Sequence, residues 1–538
     1  MAARTWLAVI LSLGVWFAYE RFLAPKPALV PEVVTSSPSP GGTESSPTLK
    51  ETTGGVPKAF KSGHPTREDF WIKAETMEIA FSDVGGQIAT VRLLKYREDV
   101  KRESTPITLV SAGISPYSLS TLFSDPELAP FRDAMYTRQV DGNRVIYSAT
   151  LPSKISLRKE YVIDVPRYRV DTHYILNFPV EPKRELGHLS LPVGAREFQY
   201  DNSKPLKSWE SVLYQNDSIK RTHVDSINDG EEILQGNTSW LAFGNRYFST
   251  VIRNESKLNP DAVFAKSVDF AGGYLRYPLL LKENERQITL GVSYFLVPKE
   301  FDILSSTPGM KRLIDYGMLS FLAFPLLDLL NFLYKYVHNY GIAIILLTFL
   351  VRLLFYPLSR ISFKSMKEMQ KLQPRLQELK TKYSDDRERF QKEQLALFKT
   401  HKVNPFGGCL PIMVQIPVFI ALYSVLGNSI ELYQAPFFGW IHDLSSMDPY
   451  LVFPILMGIA MVVQQKITPA VGMDPTQQKI MMAMPIVFTF MMYNLPSGLT
   501  IYMFVSTLLG ILQQYVITRS PGTVPATPTA VSTLPDKG

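Results

Sequence analysis

A single cysteine, Cys409, among 538 residues excludes an intrachain disulfide and any site built from paired thiolates. The seven histidines (His64, His173, His188, His223, His338, His401 and His442) stand at no metal-ligand spacing. No Walker-type or glycine-rich phosphate loop is present, which argues against nucleotide hydrolysis by the chain itself. The long apolar runs after residue 338 contain no Asp, Glu or His. A buried proton-carrying carboxylate and an acid–base pair are therefore excluded from those runs. No metal or other cofactor is expected, and no DNA partner.

What is present divides the chain. Residues 6–24, "WLAVILSLGVWFAYERFLA", form an apolar run preceded by Arg4, and the prolines of the following "APKPALVPE" disfavour cleavage. Residues 1–24 are expected to be an uncleaved signal anchor with its N-terminus inside. Residues 25–66 are rich in Pro, Ser, Thr and Gly and are expected to be a flexible linker. From 67 to 302 the apolar period becomes two. In "YRVDTHYILNF" (168–178), Tyr168, Val170, Thr172, Tyr174, Leu176 and Phe178 share one face, and "KISLRKEYVIDV" (154–165) and "RQITLGVSYFLV" (286–297) alternate similarly. Many such strands between Gly, Pro, Asn and Asp turns predict a large antiparallel β-sandwich.

After 338, spans are expected at about 339–358, 409–428, 450–467, 479–495 and 499–518, some near the shortest that cross a ~30 Å hydrocarbon core. With the anchor they make six, five of them in a core domain spanning 338–518. Residues 519–538 are expected to be a disordered cytoplasmic tail. Between Arg360 and Lys402, twelve Lys/Arg face six Asp/Glu, whereas 429–449 holds Glu431, Asp443 and Asp448 with no Lys or Arg. Basic loops stay cytoplasmic, which puts 360–402 inside and the β domain outside. A further span within 303–337 would reverse that order. With Asp315, Asp328 and Pro325 in it, this segment reads as an amphipathic helix in the outer interface; a re-entrant segment is the other reading.

Arg352, in "TFLVRLLFYPLSR" (348–360), is a permanent charge in an apolar run. Intramembrane charge is costly and marks function unless the side chain snorkels to the headgroups. The same topology gathers Thr348, Gln415, Gln464, Ser506 and Gln513 in the cytoplasmic half of the membrane. Such groups must face one another or water, so a hydrophilic groove open to the cytoplasm and closed outside is expected, with ordinary interhelical hydrogen bonding as the alternative. The loop within 359–403 reads as a helical hairpin interrupted at Pro374, its second helix capped by Ser384. Its Lys364, Lys367, Lys371, Arg375, Arg387 and Arg389 form a candidate docking surface for anionic lipid, a ribosome or an incoming chain. Nine of 18 methionines lie between 457 and 503, suiting either a lipid-facing surface or a binding face that accepts many sequences.

Four stretches carry a resemblance: "KVNPFGGCLPIMVQIPVFIALYSVL" (402–426), "QAPFFGWIHDLSSMDPYLVFPILMG" (434–458), "DPTQQKIMMAMPIVF" (474–488) and "LPSGLTIYMFVS" (495–506). They closely resemble the YidC/Oxa/Alb membrane-insertase family, densely over 310–518 and more loosely before. The resemblance implies a periplasmic β-supersandwich without known catalysis, an inner-membrane location with both termini cytoplasmic, and nascent membrane proteins as clients. It implies the Sec translocon, and a ribosome or targeting factor at the hairpin, as partners. Arg352 matches the family's groove arginine; Thr348 and Tyr502 match client-contacting positions. Met503 stands where close relatives often have a second aromatic. Two other readings stay open: an anion transporter or channel using Arg352 as its binding charge, and a carbohydrate-active enzyme in the β domain. The missing carboxylates and inverted repeat weigh against the transporter.

Overall fold

A computed structural model describes residues 68–519 except 101–103, 112–117, 183–185, 196–208, 268–269, 282–283, 385, 402, 404–409 and 469–474. The expected anchor, the linker and the tail from 520 onward lie outside the described residues.

Between Phe70 and Pro298 the described residues form antiparallel sheets of four, five and nine strands. The strand Arg169–Asn177 lies inside the nine-stranded sheet, paired on one side with Ser156–Asp164 and on the other with Gln287–Pro298. Period two decides which side faces the core: Tyr168, Val170, Thr172, Tyr174, Leu176 and Phe178 are all buried, as their alternation predicts. The five-stranded sheet packs against this one, and Phe81, Tyr147 and Tyr161 interlock in the core with ring centroids 5.4–6.2 Å apart.

Alternation also turns a lysine inward. Lys159 shares the core face with Leu157, Tyr161 and Ile163 and is fully buried. Its ammonium donates to Gly85 O at 2.6 Å and to Thr121 Oγ1, and lies 5.1 Å from the centre of the Tyr136 ring. Burial pushes its pKa down to about 7.

The helices are α1 (Phe301–Ser305), α2 (Ser320–Val337), α3 (Tyr340–Leu354), α4 (Tyr356–Lys371), α5 (Gln373–Lys382), α6 (Arg387–Thr400), α7 (Leu410–Asn428), α8 (Val452–Ile467), α9 (Pro475–Met492) and α10 (Ser497–Arg519). Among the described residues, Gly317–Val337 and Ser497–Ile517 are long and apolar enough to cross a membrane, and α3 with α4 counts as a third if that bent pair is one span. Met413–Asn428, Val452–Ile467 and Ile480–Met492 are apolar but shorter.

Three boundaries differ from expectation. The segment expected as one helix over 339–358 breaks at Phe355, and α3 and α4 meet at 61°. Pro357 causes this: it has no N–H to donate to Leu353 O and its ring crowds that carbonyl, so the helix stops and Pro357 sits in the first turn of a new one. The helix within 303–337 starts only at Ser320, because Gly309 and Gly317 take left-handed turns at φ 79° and 70° before it. Finally, Asp386 rather than Ser384 caps α6, its carboxylate accepting from Arg389 N at 3.0 Å. The Tyr383 and Asp386 amides still donate backward, to Leu379 O and Tyr383 O, which carries the turn two residues past Ser384.

Small residues let the membrane helices approach. A Cβ on Gly458 of α8 would overlap the Thr489 hydroxyl of α9, and one on Gly341 of α3 the Phe437 ring. Gly458→Val should therefore force α8 from α9 and destabilise the protein by about 1–3 kcal/mol. Thermal unfolding of the purified protein in detergent would read this as a lowered midpoint, with Gly427→Ala, at a glycine facing open space, as the near-neutral control.

Candidate functional site

Arg352 lies in the last turn of α3, and α10 runs beside it. Its Nε and Nη2 both donate to Ser506 Oγ, at 3.1 and 2.9 Å. A helix end leaves carbonyls without intrahelical partners. Here the Arg352 carbonyl accepts from Gln513 Nε2 at 3.1 Å. Thus α10 holds both the side chain and the backbone of one residue. Among the described residues Arg352 has no ion-pair partner, so a half-buried guanidinium is balanced only by a neutral hydroxyl. A cation in that setting favours any anionic group that can reach it.

Helix α8 enters at the same place. A Cβ on Gly510 would stand 3.4 Å from both Arg352 Nη2 and Gln464 Nε2, so the two head groups share the bare patch that this glycine leaves on α10. One turn further, Gln514 Nε2 donates to Ile467 O at 3.2 Å, and Thr468 Oγ1 donates to Gln464 O at 2.8 Å. Nearer the start of α10, Gln415 of α7 donates to the Tyr502 hydroxyl at 3.4 Å. Gln415, Tyr502, Ser506, Gln513, Gln464 and Arg352 thereby link α3, α7, α8 and α10.

Two expected residues sit differently. Thr348 is buried, and its hydroxyl donates to Ile344 O of its own helix at 2.6 Å, so it presents no polar group to a groove. Tyr502 is also buried, which leaves half-buried Met503 as the more accessible of the proposed client contacts. The space beside Arg352 is a cavity of about 210 Å³ walled mainly by Phe349, Leu353, Leu509, Leu512 and Val516. It is a small, largely apolar recess. Gln513 Oε1 is buried there with no partner among the described residues.

Sequence reasoning missed Gly510 and Thr468. The signal for Gly510 was available: Ser506, Gly510 and Gln514 recur every fourth residue, a small–polar stripe of the kind that brings helices together.

The hairpin is built as α5 against α6, with Leu372, Leu376 and Phe398 buried between them. Lys364 is exposed and Lys367 half-buried; exposed Lys371 pairs with Glu368 at 2.9 Å. Arg375 Nη1 is 2.9 Å from His401 Nε2, and the Arg389 guanidinium is 5.7 Å from the centre of the Tyr383 ring. Arg387 opens α6, and its side chain is outside the described part. Glu378 and Glu393 line a recess of about 500 Å³ with Arg375 and Lys382, so the hairpin is mixed in sign there rather than uniformly basic.

Residues 70–329 match the family described as "YidC periplasmic domain", and residues 332–523 the family described as "60Kd inner membrane protein". The membrane protein insertase YidC of Geobacter metallireducens is 36% identical over 97% of this chain and 99% of its own length. The chain belongs to the YidC family of membrane protein insertases. The family member of Syntrophus aciditrophicus is 35% identical over 96% of this chain and all of its own. Among solved structures, an active YidC insertase with its first transmembrane domain resolved aligns over 86% of this chain and 96% of its own, at 18% identity and a TM-score of 0.38.

Removing the Ser506 hydroxyl should release Arg352 without unfolding the bundle, because charge-assisted hydrogen bonds contribute only about 1.5–3 kcal/mol. Phenylglyoxal labelling mapped by mass spectrometry should show Arg352 reacting several-fold faster in Ser506→Ala, with the exposed Arg389 as the unchanged internal reference.

Proposed function

We propose that this chain inserts nascent membrane proteins by drawing the short polar stretch beside an apolar segment partway across the bilayer, toward Arg352, and releasing the apolar segment sideways into lipid. Membership of the insertase family supports the activity. The observation that carries the mechanism is a guanidinium held by a hydroxyl and matched by no acid. An acidic stretch arriving from the cytoplasm gains that attraction where the dielectric is low. It displaces the weak bond to Ser506, while Gln513 retains the arginine backbone. The apolar recess beside Arg352 and half-buried Met503 offer the apolar segment its first contact. Burial of ~20 apolar residues in lipid then drives release, helped for acidic tails by the membrane potential at about 2.3 kcal/mol per charge per 100 mV.

This reading places six spans in the inner membrane: the anchor, the bent pair α3–α4, and α7, α8, α9 and α10. Both termini are then inside and the β domain is periplasmic. Helix α2 has the length to cross, but a crossing there would put the basic hairpin outside, so it lies in the outer interface. The short apolar helices fit a locally thinned bilayer. The hairpin, through Lys364, Lys367, Lys371, Arg375, Arg387 and Arg389, docks a ribosome or targeting factor or rests on anionic lipid, and the Sec translocon is a partner for larger clients.

Purified protein in liposomes, given two single-span clients that differ only in an acidic or an uncharged translocated tail, tests the proposal. If the guanidinium lowers the crossing barrier by about 1.4 kcal/mol, Arg352→Ala slows the acidic client about tenfold and the uncharged one much less. Arg352→Lys should retain more activity than Arg352→Glu. Equal slowing of both clients removes Arg352 from the mechanism, and anion flux without insertion favours the transporter reading. Reversing Lys364, Lys371, Arg375 and Arg389 together should weaken ribosome or anionic-vesicle binding in cosedimentation, with the wild-type difference shrinking as salt rises.

A further inference from the structure

The outer end of α7 and the turn after it are gripped from several sides. Arg246 donates to Gly427 O at 3.1 Å, and Tyr433 Oη and Gln434 Nε2 both donate to Arg97 O at 2.8 Å. The Tyr316 and Ser429 hydroxyls bond at 2.9 Å. These contacts fasten the β domain and the segment that follows it to the membrane helices, and Glu431 lies within the seam. Its Oε1 accepts from Phe301 N at 3.4 Å; its Oε2 is buried with no partner among the described residues.

The groups facing this carboxyl are mostly acidic or neutral. Glu300 and Asp302 approach from the start of α1, Tyr316 from the turn before α2, and Tyr340 from α3. Lys95 and Tyr96 approach from the strand Gln87–Arg97. Lys95 is the one cation among them, and its ammonium is committed to Glu300 at 2.7 Å.

We propose that Glu431 is a proton-operated latch: protonated, it lets the β domain seat on the membrane helices, and ionised, it loosens that seam. A half-buried carboxylate whose Oε2 is buried and orphaned, with two acids nearby, is costly, whereas the neutral acid is not. Burial first, and then Glu300 and Asp302, push this carboxyl up to about 7. The sign follows from linkage. The closed seam holds a proton that an open, solvated Glu431 would release above its ordinary value, so the stabilisation is complete at low pH and is lost as pH rises through about 7.

Hydrogen exchange of the full-length protein in lipid nanodiscs, with labelling times scaled for intrinsic exchange, reads the seam through the amides of Leu432 and Tyr433, which donate to Ser429 O and Ile430 O. Between pH 5.5 and 8.5 the opening constant should rise about 30-fold in wild type. In Glu431→Gln it should stay at the protected, acid-side level throughout. Asp302→Asn, which alters an exposed neighbour, should move the wild-type midpoint to lower pH and decides the matter if the first variant fails to fold. Seam exchange constant across the range, unchanged pH dependence in Glu431→Gln, or an unmoved midpoint in Asp302→Asn would overturn the latch.

Discussion

The membrane half of this protein is organised by an unbalanced charge. Arg352 brings a permanent cation among apolar helices, and the bundle answers with hydrogen bonds instead of an acid: Ser506 for the guanidinium, Gln513 for the carbonyl behind it. A matching carboxylate would neutralise the cation as an ion pair, whereas a hydroxyl satisfies its donors and leaves its charge unbalanced. The arrangement keeps the cation soluble in the bundle yet only loosely engaged. Gly510 completes it by leaving a side of α10 bare, where Arg352 and Gln464 both reach the helix.

The β part depends on a different constraint, strict alternation, and there the sequence was most readable. Tyr168 through Phe178 sort into core and surface by period alone, because a one-residue slip would expose every one of them. The helical part was legible where composition decides and illegible where local geometry does. Arg352, Ser506, Gln464, Gln513 and Gln415 could be named, since polar residues in apolar runs must find partners. Thr348 could not be separated from them, because a threonine satisfied by its own helix has the same sequence signature as one facing water. The break at Phe355 was hidden for a related reason: apolar composition continues through Pro357, and composition does not record direction.

The outer seam shows how the two halves act as one body. The backbone carbonyls of Arg97 and Gly427 and the hydroxyls of Tyr316 and Ser429 supply short, directional contacts, and rings of Tyr96, Tyr247 and Phe248 surround Tyr433 at 5.0–6.4 Å. Polar bonds set the register of this joint, and aromatic packing around Tyr433 fills it. None of these residues stands out along the chain, because each is ordinary for its own domain; only their meeting makes a joint.

The 61° turn between α3 and α4 has a mechanical consequence. Arg352 sits three residues before the bend, about 4.5 Å along the axis, whereas the tip of the hairpin lies far out on the other arm. Beyond the bend α4 packs against α10 and α7, so the bundle holds both arms and fixes the direction in which the chain leaves the cation. The guanidinium is thereby kept in one place at the corner of the bundle, whatever the hairpin beyond it does.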